Sequence, residues 1–450
     1  MKGGSNAALE SRLLSVTDLP AGWAVRHEAA VGSASTGKSC LSILDIKTKG
    51  WTNASTYFVQ GPSVPSLAEY LTTGPRVNQV WKSVIGSLAR CTKVSFSLGV
   101  LKISGAFGAL SFPGVVAPHA AFALDFKISG IPFGLDLVLF HADNRLGVVE
   151  YTDVGSPDVT TVAKFVKAAV AKVTGAAGRV TGVVSVVSAP LQTARTKLGK
   201  VEYRVVGRGP PLVLIAGFAS TMQVWDRRFV DALAQRYRVV IFNNAGIGGT
   251  QSVPSLTIDA MANQTSALIT ALGLGRSNVL GWSMGSMIAD ALAVLHPAQV
   301  RDLVLCAAYP GSGTDKPSQK AIQALKSGNS KEELAALFPA NQTVAGNEYL
   351  LAESSYPPGR SVPTAVAAAQ SLAIDEWWDG KDPAAPRTGA ISVPTLVADG
   401  TEDQLDPFMN DRAVASQIQG AKLVLYSDAG HAFLFQDEGT FLPAIESFLK

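Results

Sequence analysis

Residues 279–287, reading Val-Leu-Gly-Trp-Ser-Met-Gly-Ser-Met, constrain this chain more than any other stretch. An apolar run leads into Gly281-Trp282-Ser283-Met284-Gly285, and a helix-forming run over 287–295 follows. A strand can enter a helix through so tight a turn only where glycines remove the Cβ atoms that would clash. The turn then lifts the central serine Oγ clear of the sheet. Ser283 is thereby a candidate nucleophile. A bare G-x-S-x-G also occurs as a plain turn, so the assignment depends on what else the chain supplies.

A length of 450 residues suits two or three domains, and 47% hydrophobic against 16% charged residues suits well-buried globules. No apolar run reaches the roughly 18 residues of a membrane helix. Met1 to Ala7 read as an expression scar joined to a mature chain. The net charge of +3 is uneven: residues 1–195 hold 18 Lys and Arg against 11 Asp and Glu, the remainder 20 against 24. A mildly basic front part fits an anionic surface, but scattered solubilising lysines explain it better, since no dense basic cluster occurs. Nucleic-acid binding has no other support. Three cysteines are too few for a disulfide scaffold or a metal framework. Cys40 and Cys91 either form a disulfide, which implies an oxidising compartment, or are two unrelated buried thiols; Cys306 reads as a core thiol.

Residues 8–185 read as an α+β domain with an antiparallel sheet. A helix-like start at 8–14 precedes a turn at 17–23, and residues 66–90 carry apolar side chains at helical spacing despite Gly74-Pro75. β-prone runs follow at 94–103, 122–128, 135–140 and 146–151, joined by turn sequences as in a meander, and a last helix covers 157–174. His27, His119 and His141 have no carboxylate or cysteine at ligand spacing and read as structural or surface histidines. The opening Leu14-x-x-x-Asp18-Leu19-Pro20-x-Gly22-Trp23, with Cys40 and then Cys91 closing a helix, resembles the sensor-like extracellular domains of actinobacterial lipoproteins and kinase ectodomains. That resemblance implies an exported, cell-envelope or secreted protein and names no ligand. Residues 186–196 read as a linker.

From residue 197 onward, strand-like and helix-like segments alternate. Runs at 198–206 and 211–216 suggest a hairpin. Further strands are expected at 238–242, before Ser283, and at 300–306, 395–399 and 422–426, with helices at 223–235 and 258–272. Near-continuous apolar strands between helices signal a mostly parallel sheet covered on both faces. Four landmarks then occur in order: Gly217-Phe218 with Trp225; the loop Asn243-Asn244-Ala245-Gly246-Ile247-Gly248-Gly249-Thr250; Gly281 to Gly285; and Gly400-Thr401-Glu402-Asp403 with Gly430-His431. In these, residues 197–450 resemble the α/β-hydrolase superfamily. The resemblance implies a Ser-Asp-His triad of Ser283, Asp403 and His431, with an oxyanion hole formed by the backbone N–H groups of Phe218 and Met284. Two departures stand out: the family's histidine before the oxyanion glycine is Ala216, and its Asp and Arg in the next loop are Asn243 and Ala245.

The chemistry calls for these residue types. A serine hydroxyl is a weak nucleophile until a histidine takes its proton, and a carboxylate must fix the imidazole tautomer. His296 rivals His431 but ends the helix that starts at the turn, far from Ser283. Asp406 and Glu402 rival Asp403. Residues 312–390 interrupt the alternation with four helical stretches at 319–325, 331–337, 347–353 and 364–378, as a cap would. Within it, residues 365–369, Leu372, Trp377 and Trp378, together with Trp282 at the turn, are candidates to line an acyl pocket. The expectation is a two-domain exported serine hydrolase acting on a small-molecule or lipid ester, lipase- or carboxylesterase-like, with no metal and no cofactor. Peripheral or lipid-anchored association with the envelope is compatible with it. An amidase or peptidase, or a perhydrolase-type haloperoxidase, would use the same triad. A non-catalytic binding or sensory lipoprotein on the same scaffold is the alternative of another class.

Overall fold

The computed structural model describes residues 7–26, 40–44, 51–98, 101–311 and 315–449; His27 and the Cys40 side chain fall outside them. The chain divides into two compact units, residues 1–183 and 184–450.

The first unit holds strands β1 (Trp23–Val25), β2 (Thr52–Gln60), β3 (Ser66–Thr73), β4 (Lys93–Leu98), β5 (Leu101–Ala109), β6 (His119–Ile128), β7 (Ile131–Ala142) and β8 (Arg145–Val154), with helices α1 (Ala7–Glu10), α2 (Val77–Leu88) and α3 (Val159–Val173). They form one sheet in the order β1-β2-β3-β8-β7-β6-β5-β4, and every pairing is antiparallel. Alternation along β7 supplies both faces. Val138, Phe140 and Ala142 pack with Val162, Val166 and Val173 of α3, while Leu135, Leu137 and Leu139 pack with Val84 and Leu88 of α2. Two interiors thus share one sheet, which a period of two makes inevitable once both faces are covered.

The helix expected over 66–90 is corrected: its first third is strand β3, and only α2 is helical. Leu67 and Leu71, both buried in the α3-side cluster, are four apart, a spacing that keeps residues on one face in a strand as well as in a helix. The single run expected at 94–103 is divided between β4 and β5, and β2 was not anticipated. Cys91 is disulfide-bonded, and Cys306 is free and buried. His119 is structural, its ring nitrogens lying 2.9 and 3.1 Å from the carbonyls of Ala117 and Phe112. The His141 ring stacks on Trp81.

The second unit holds β9 (Gln192–Thr196), β10 (Gly199–Val206), β11 (Pro211–Ile215), β12 (Arg238–Phe242), β13 (Ser277–Trp282), β14 (Val300–Cys306), β15 (Thr395–Gly400) and β16 (Lys422–Tyr426). Its helices are α4 (Arg227–Leu233), α5 (Ile258–Ala271), α6 (Met284–Leu295), α7 (Gln319–Leu325), α8 (Ser330–Leu337), α9 (Thr343–Ser354), α10 (Thr364–Trp378), α11 (Met409–Gln417), α12 (Phe433–Gln436) and α13 (Glu438–Phe448). The sheet order is β16-β15-β14-β13-β11-β12-β10-β9. From β12 to β16 all pairs are parallel, and only β10 runs against the rest, pairing antiparallel with both β12 and β9. The expected hairpin of 198–206 with 211–216 does not form. β11, with Leu212 to Ile215 fully buried, takes the interior between two parallel neighbours, and the half-exposed β10 pairs with β9 and β12 near the edge. Residues 186–196, expected as a linker, are built into this unit. Val186 and Val187 join one of its apolar clusters, and β9 closes the sheet. Helices α7 to α10 stand between β14 and β15 as a cap. No helix among the described residues is long and apolar enough to cross a membrane.

Buried acids give the first unit a pH signature, and Glu69 is one whose contribution can be isolated. Glu69 on β3 has no exposed surface and accepts the Leu14 N–H on Oε2 at 2.7 Å; burial pushes its carboxyl up from 4.5 to about 7. The folded chain therefore holds this proton more tightly than the unfolded chain, so stability falls as pH rises from about 4.5 to about 7. Glu69→Gln keeps an acceptor and removes the titration. In calorimetry of the full chain, the variant's first-unit transition is expected to gain on wild type through that window, by on the order of 3 kcal/mol near pH 8, and to converge below about pH 4. Parallel profiles would count against it.

Candidate active site

In the second sheet, the chain leaves β11 for β12 on one side and returns to β13 on the other, so the carboxyl ends of β11 and β13 flank a switch in strand order. Open parallel sheets place their ligand crevices there. Gly217-Phe218 leaves the end of β11, and Ser283 leaves the end of β13.

Ser283 has φ +60° and ψ −127°, a conformation that side chains with a Cβ seldom adopt. Its neighbours explain how it is held. A Cβ on Gly281 would sit 2.1 Å from the Gly285 carbonyl oxygen, and one on Gly285 would sit 2.0 Å from that of Ile215. α6 therefore starts in direct contact with the end of β11. The Ser283 N–H donates to the Cys306 carbonyl at 2.9 Å, and Ser286 Oγ donates to the Ser283 carbonyl at 2.7 Å. Met284, the first residue of α6, has its N–H at the helix N-terminus, where backbone donors lack partners in the helix.

The structure brings His431 and Asp403 together. His431 Nδ1 lies 2.6 Å from Asp403 Oδ2, with the two side chains 4% and 0% exposed. Asp403 Oδ1 accepts the backbone N–H groups of Leu405 and Asp406 at 2.7 and 2.8 Å. Trp282 Nε1 donates to the His431 carbonyl at 2.9 Å, so the residue before Ser283 anchors the histidine loop. Ser283 and His431 line one cleft of about 640 Å³, open mouth included. Among the described residues no hydrogen bond joins Ser283 Oγ to the imidazole, a looseness common before substrate binds. The occupied Nδ1 leaves Nε2 for the serine.

The rivals are placed elsewhere. Glu402 is exposed. Asp406 is buried and lines the cleft, but its Oδ1 accepts from Asn410 Nδ2 at 2.8 Å. Burial, and then the facing Asp403, push the Asp406 carboxyl well up. His296 Nε2 lies 2.8 Å from Asn263 Oδ1 beyond the far end of α6.

The turn after β11 is packed against the serine: a Cβ on Gly217 would meet Ser283 Cβ at 3.2 Å. The two departures in the flanking loops are compensated in kind. Asn244 Nδ2 donates to the Ala216 carbonyl at 2.9 Å. Asn243 accepts the Met222 N–H at 2.7 Å and donates to Glu202 Oε2 at 2.6 Å.

Of the expected pocket aromatics, only Trp378 lines the cleft, beside Tyr309 at 4.8 Å between centroids. Trp377 is corrected: fully buried, it donates Nε1 to the Tyr309 carbonyl at 2.8 Å. Trp282 is likewise a core residue, packed against Trp225 and Phe435. Leu372 is 60% exposed, and residues 365–369 are not in the lining. α10 lines the cleft with Ser371, Ile374, Asp375 and Trp378, a spacing of three, four and seven that puts them on one helix face. Taking that stripe back from Trp378 would have found them. Gln370, which bonds the Ala219 N–H at 2.8 Å, had no sequence signal.

A family model described as alpha/beta hydrolase fold matches residues 210–438. Over 254 residues the chain is 31% identical to polyketide synthase ThaQ of Burkholderia thailandensis, covering 54% of this chain and 12% of that protein. Over 248 residues it is 29% identical to the putative non-heme bromoperoxidase BpoC of Mycobacterium tuberculosis, covering 51% of this chain and 90% of the relative. An alpha/beta hydrolase fold protein from Chitinophaga pinensis superposes with a TM-score of 0.53 at 25% identity, over 58% of this chain and 98% of that one.

The contact between α6 and β11 can be tested directly. Gly285→Ala is expected to destabilise the second unit by about 3 kcal/mol, or to prevent its folding. Gly439→Ala in α13, where a Cβ would meet nothing within 4 Å, should be neutral or stabilise by up to ~1 kcal/mol. Thermal melts of the two variants check the contrast.

Proposed function

Because this chain belongs to the alpha/beta hydrolase fold family, we propose that it is a serine hydrolase that cleaves carboxylic esters through an acyl-enzyme. The reading rests on one observation: the buried His431–Asp403 bond, on the wall of the same cleft as Ser283. Ser283 Oγ attacks the ester carbonyl carbon while His431 Nε2 takes its proton, and Asp403 stabilises the imidazolium. The carbonyl oxygen gains charge and is met by the N–H groups of Phe218 and Met284. On collapse, the C–O bond to the alcohol breaks and His431 returns the proton to the leaving oxygen. Water then attacks the acyl carbon, His431 accepts its proton and passes it to Ser283 Oγ, and the carboxylic acid leaves.

The lining favours an apolar acyl group. Phe218, Met287, Ile322, Leu325, Ile374 and Trp378 face the cleft, a composition typical of small-molecule sites. A perhydrolase-type reading is favoured only by the name of the bromoperoxidase relative, and peroxide-dependent bromination by the purified protein would support it. The disulfide at Cys91 supports export, since such bonds persist in oxidising compartments; fractionation that leaves the protein wholly in the cytosol would overturn that.

A fluorophosphonate probe is expected to label the protein stoichiometrically and to fail on Ser283→Ala; unlabelled, correctly folded wild type would refute the hydrolase reading. On a short-chain chromogenic ester, Asp403→Asn should lower kcat by about 10³-fold or more. Asp406→Asn should stay within about 10-fold, because its backbone N–H still supports Asp403.

A further inference from the structure

Gln370 sits on the core-facing side of α10 with no exposed surface. Its Oε1 accepts the Ala219 N–H at 2.8 Å, and its Nε2 has no hydrogen-bond partner among the described residues. A buried amide left half satisfied is unfavourable, so packing alone would favour an apolar side chain of the same shape. Ala219 holds φ +47° and directly follows Phe218, the proposed oxyanion donor.

We propose that Gln370 is a positioning residue. Through its Oε1, cap helix α10 holds the strained Ala219 peptide and so aims the Phe218 N–H, which makes seating of the cap and completion of the oxyanion hole a single event. The proposal rests on the hydrolase reading above. A second cap contact reaches the same turn: Lys326, which follows α7, places Nζ 5.3 Å from the centroid of the Phe218 ring and donates to Ser371 Oγ at 2.8 Å. On the other side, Gly217 is in contact with Ser283, and Asn244 holds the Ala216 carbonyl. The turn is therefore fixed by the sheet at residues 216 and 217 and by the cap at residues 218 and 219. Remove the acceptor from Ala219, and its left-handed conformation loses the cap bond that offsets its strain. A displacement of about 1 Å in a positioned group can lower the rate by about 10²-fold.

The test uses the full chain and separates turnover from binding. Gln370→Met keeps the shape and removes the acceptor. It is expected to lower kcat on a p-nitrophenyl ester about 10- to 100-fold with KM within about threefold. A trifluoromethyl ketone, whose hemiketal oxyanion needs the same donors, should lose affinity by a similar factor. Gln370→Glu retains an acceptor oxygen and should recover most of the lost kcat. Three results would overturn the proposal: a folded Gln370→Met with kcat within twofold of wild type, a Gln370→Glu as impaired as Gln370→Met, or a Gln370→Met that does not fold, which would make the role one of packing. If the fluorophosphonate probe fails on wild type, the hydrolase reading falls first. If it labels normally while Gln370→Met is unaffected, only the positioning role is lost.

Discussion

Residue 283 must hold a positive φ with a side chain attached, and the second unit is arranged so that it has no alternative. Such a conformation costs about 1–3 kcal/mol. It persists because β13 is buried along its whole length between β11 and β14, and because α6 begins in contact with the carbonyl of Ile215. Val279, Leu280, Ile288 and Leu292, all without exposed surface, fix the strand and the helix on either side of the turn. Burial of that extent outweighs the strain several times over. Relaxing Ser283 would require moving a strand or a helix.

The opposite wall of the cleft is held by carboxyl groups. Asp399 near the end of β15, Asp403 and Asp406 in the loop after it, and Asp411 at the start of α11 are all buried. Burial first, and then the neighbouring aspartates, push Asp399, Asp406 and Asp411 well up. Clustered carboxyls in a low-dielectric setting cannot all ionise. Asp411 nonetheless acts as a strut: it accepts the Ala308 N–H at 2.8 Å, tying α11 to the end of β14. What distinguishes Asp403 is its set of donors, two backbone N–H groups on one oxygen and the imidazole on the other. Asp406 lines the cleft but bonds Asn410 and not the imidazole.

The fold of the second unit was largely legible because its signals are local and redundant. Glycines are required at the turn, apolar runs mark the parallel strands, and the order of serine, acid and histidine follows from the fold. The front unit was read less well. Leu67 and Leu71 satisfy the strand and helix periods alike, and β2, with five of its nine residues at least partly exposed, has no long continuous apolar run. The placement of β10 depended on which of two strands could tolerate full burial, a comparison that only the assembled sheet makes. Trp377 and Trp378 show the remaining limit. One helical step of about 100° separates a core tryptophan from a cleft tryptophan, and composition does not say which is which.

The cap links substrate choice to rate. Ser371, Ile374 and Trp378 line the cleft from one side of α10, while Gln370, Ala373 and Trp377 are buried on another. A rigid helix cannot shift its lining side without shifting its buried one. An acyl group that displaces Trp378 also strains the Trp377 bond to the Tyr309 carbonyl and the Gln370 bond to Ala219. On the hydrolase reading proposed above, poorly fitting substrates are then penalised in the chemical step as well as in binding, so a cap helix that carries none of Ser283, Asp403 and His431 shapes discrimination among substrates. Specificity of this kind is read from the transition state, where a misaligned donor is felt most.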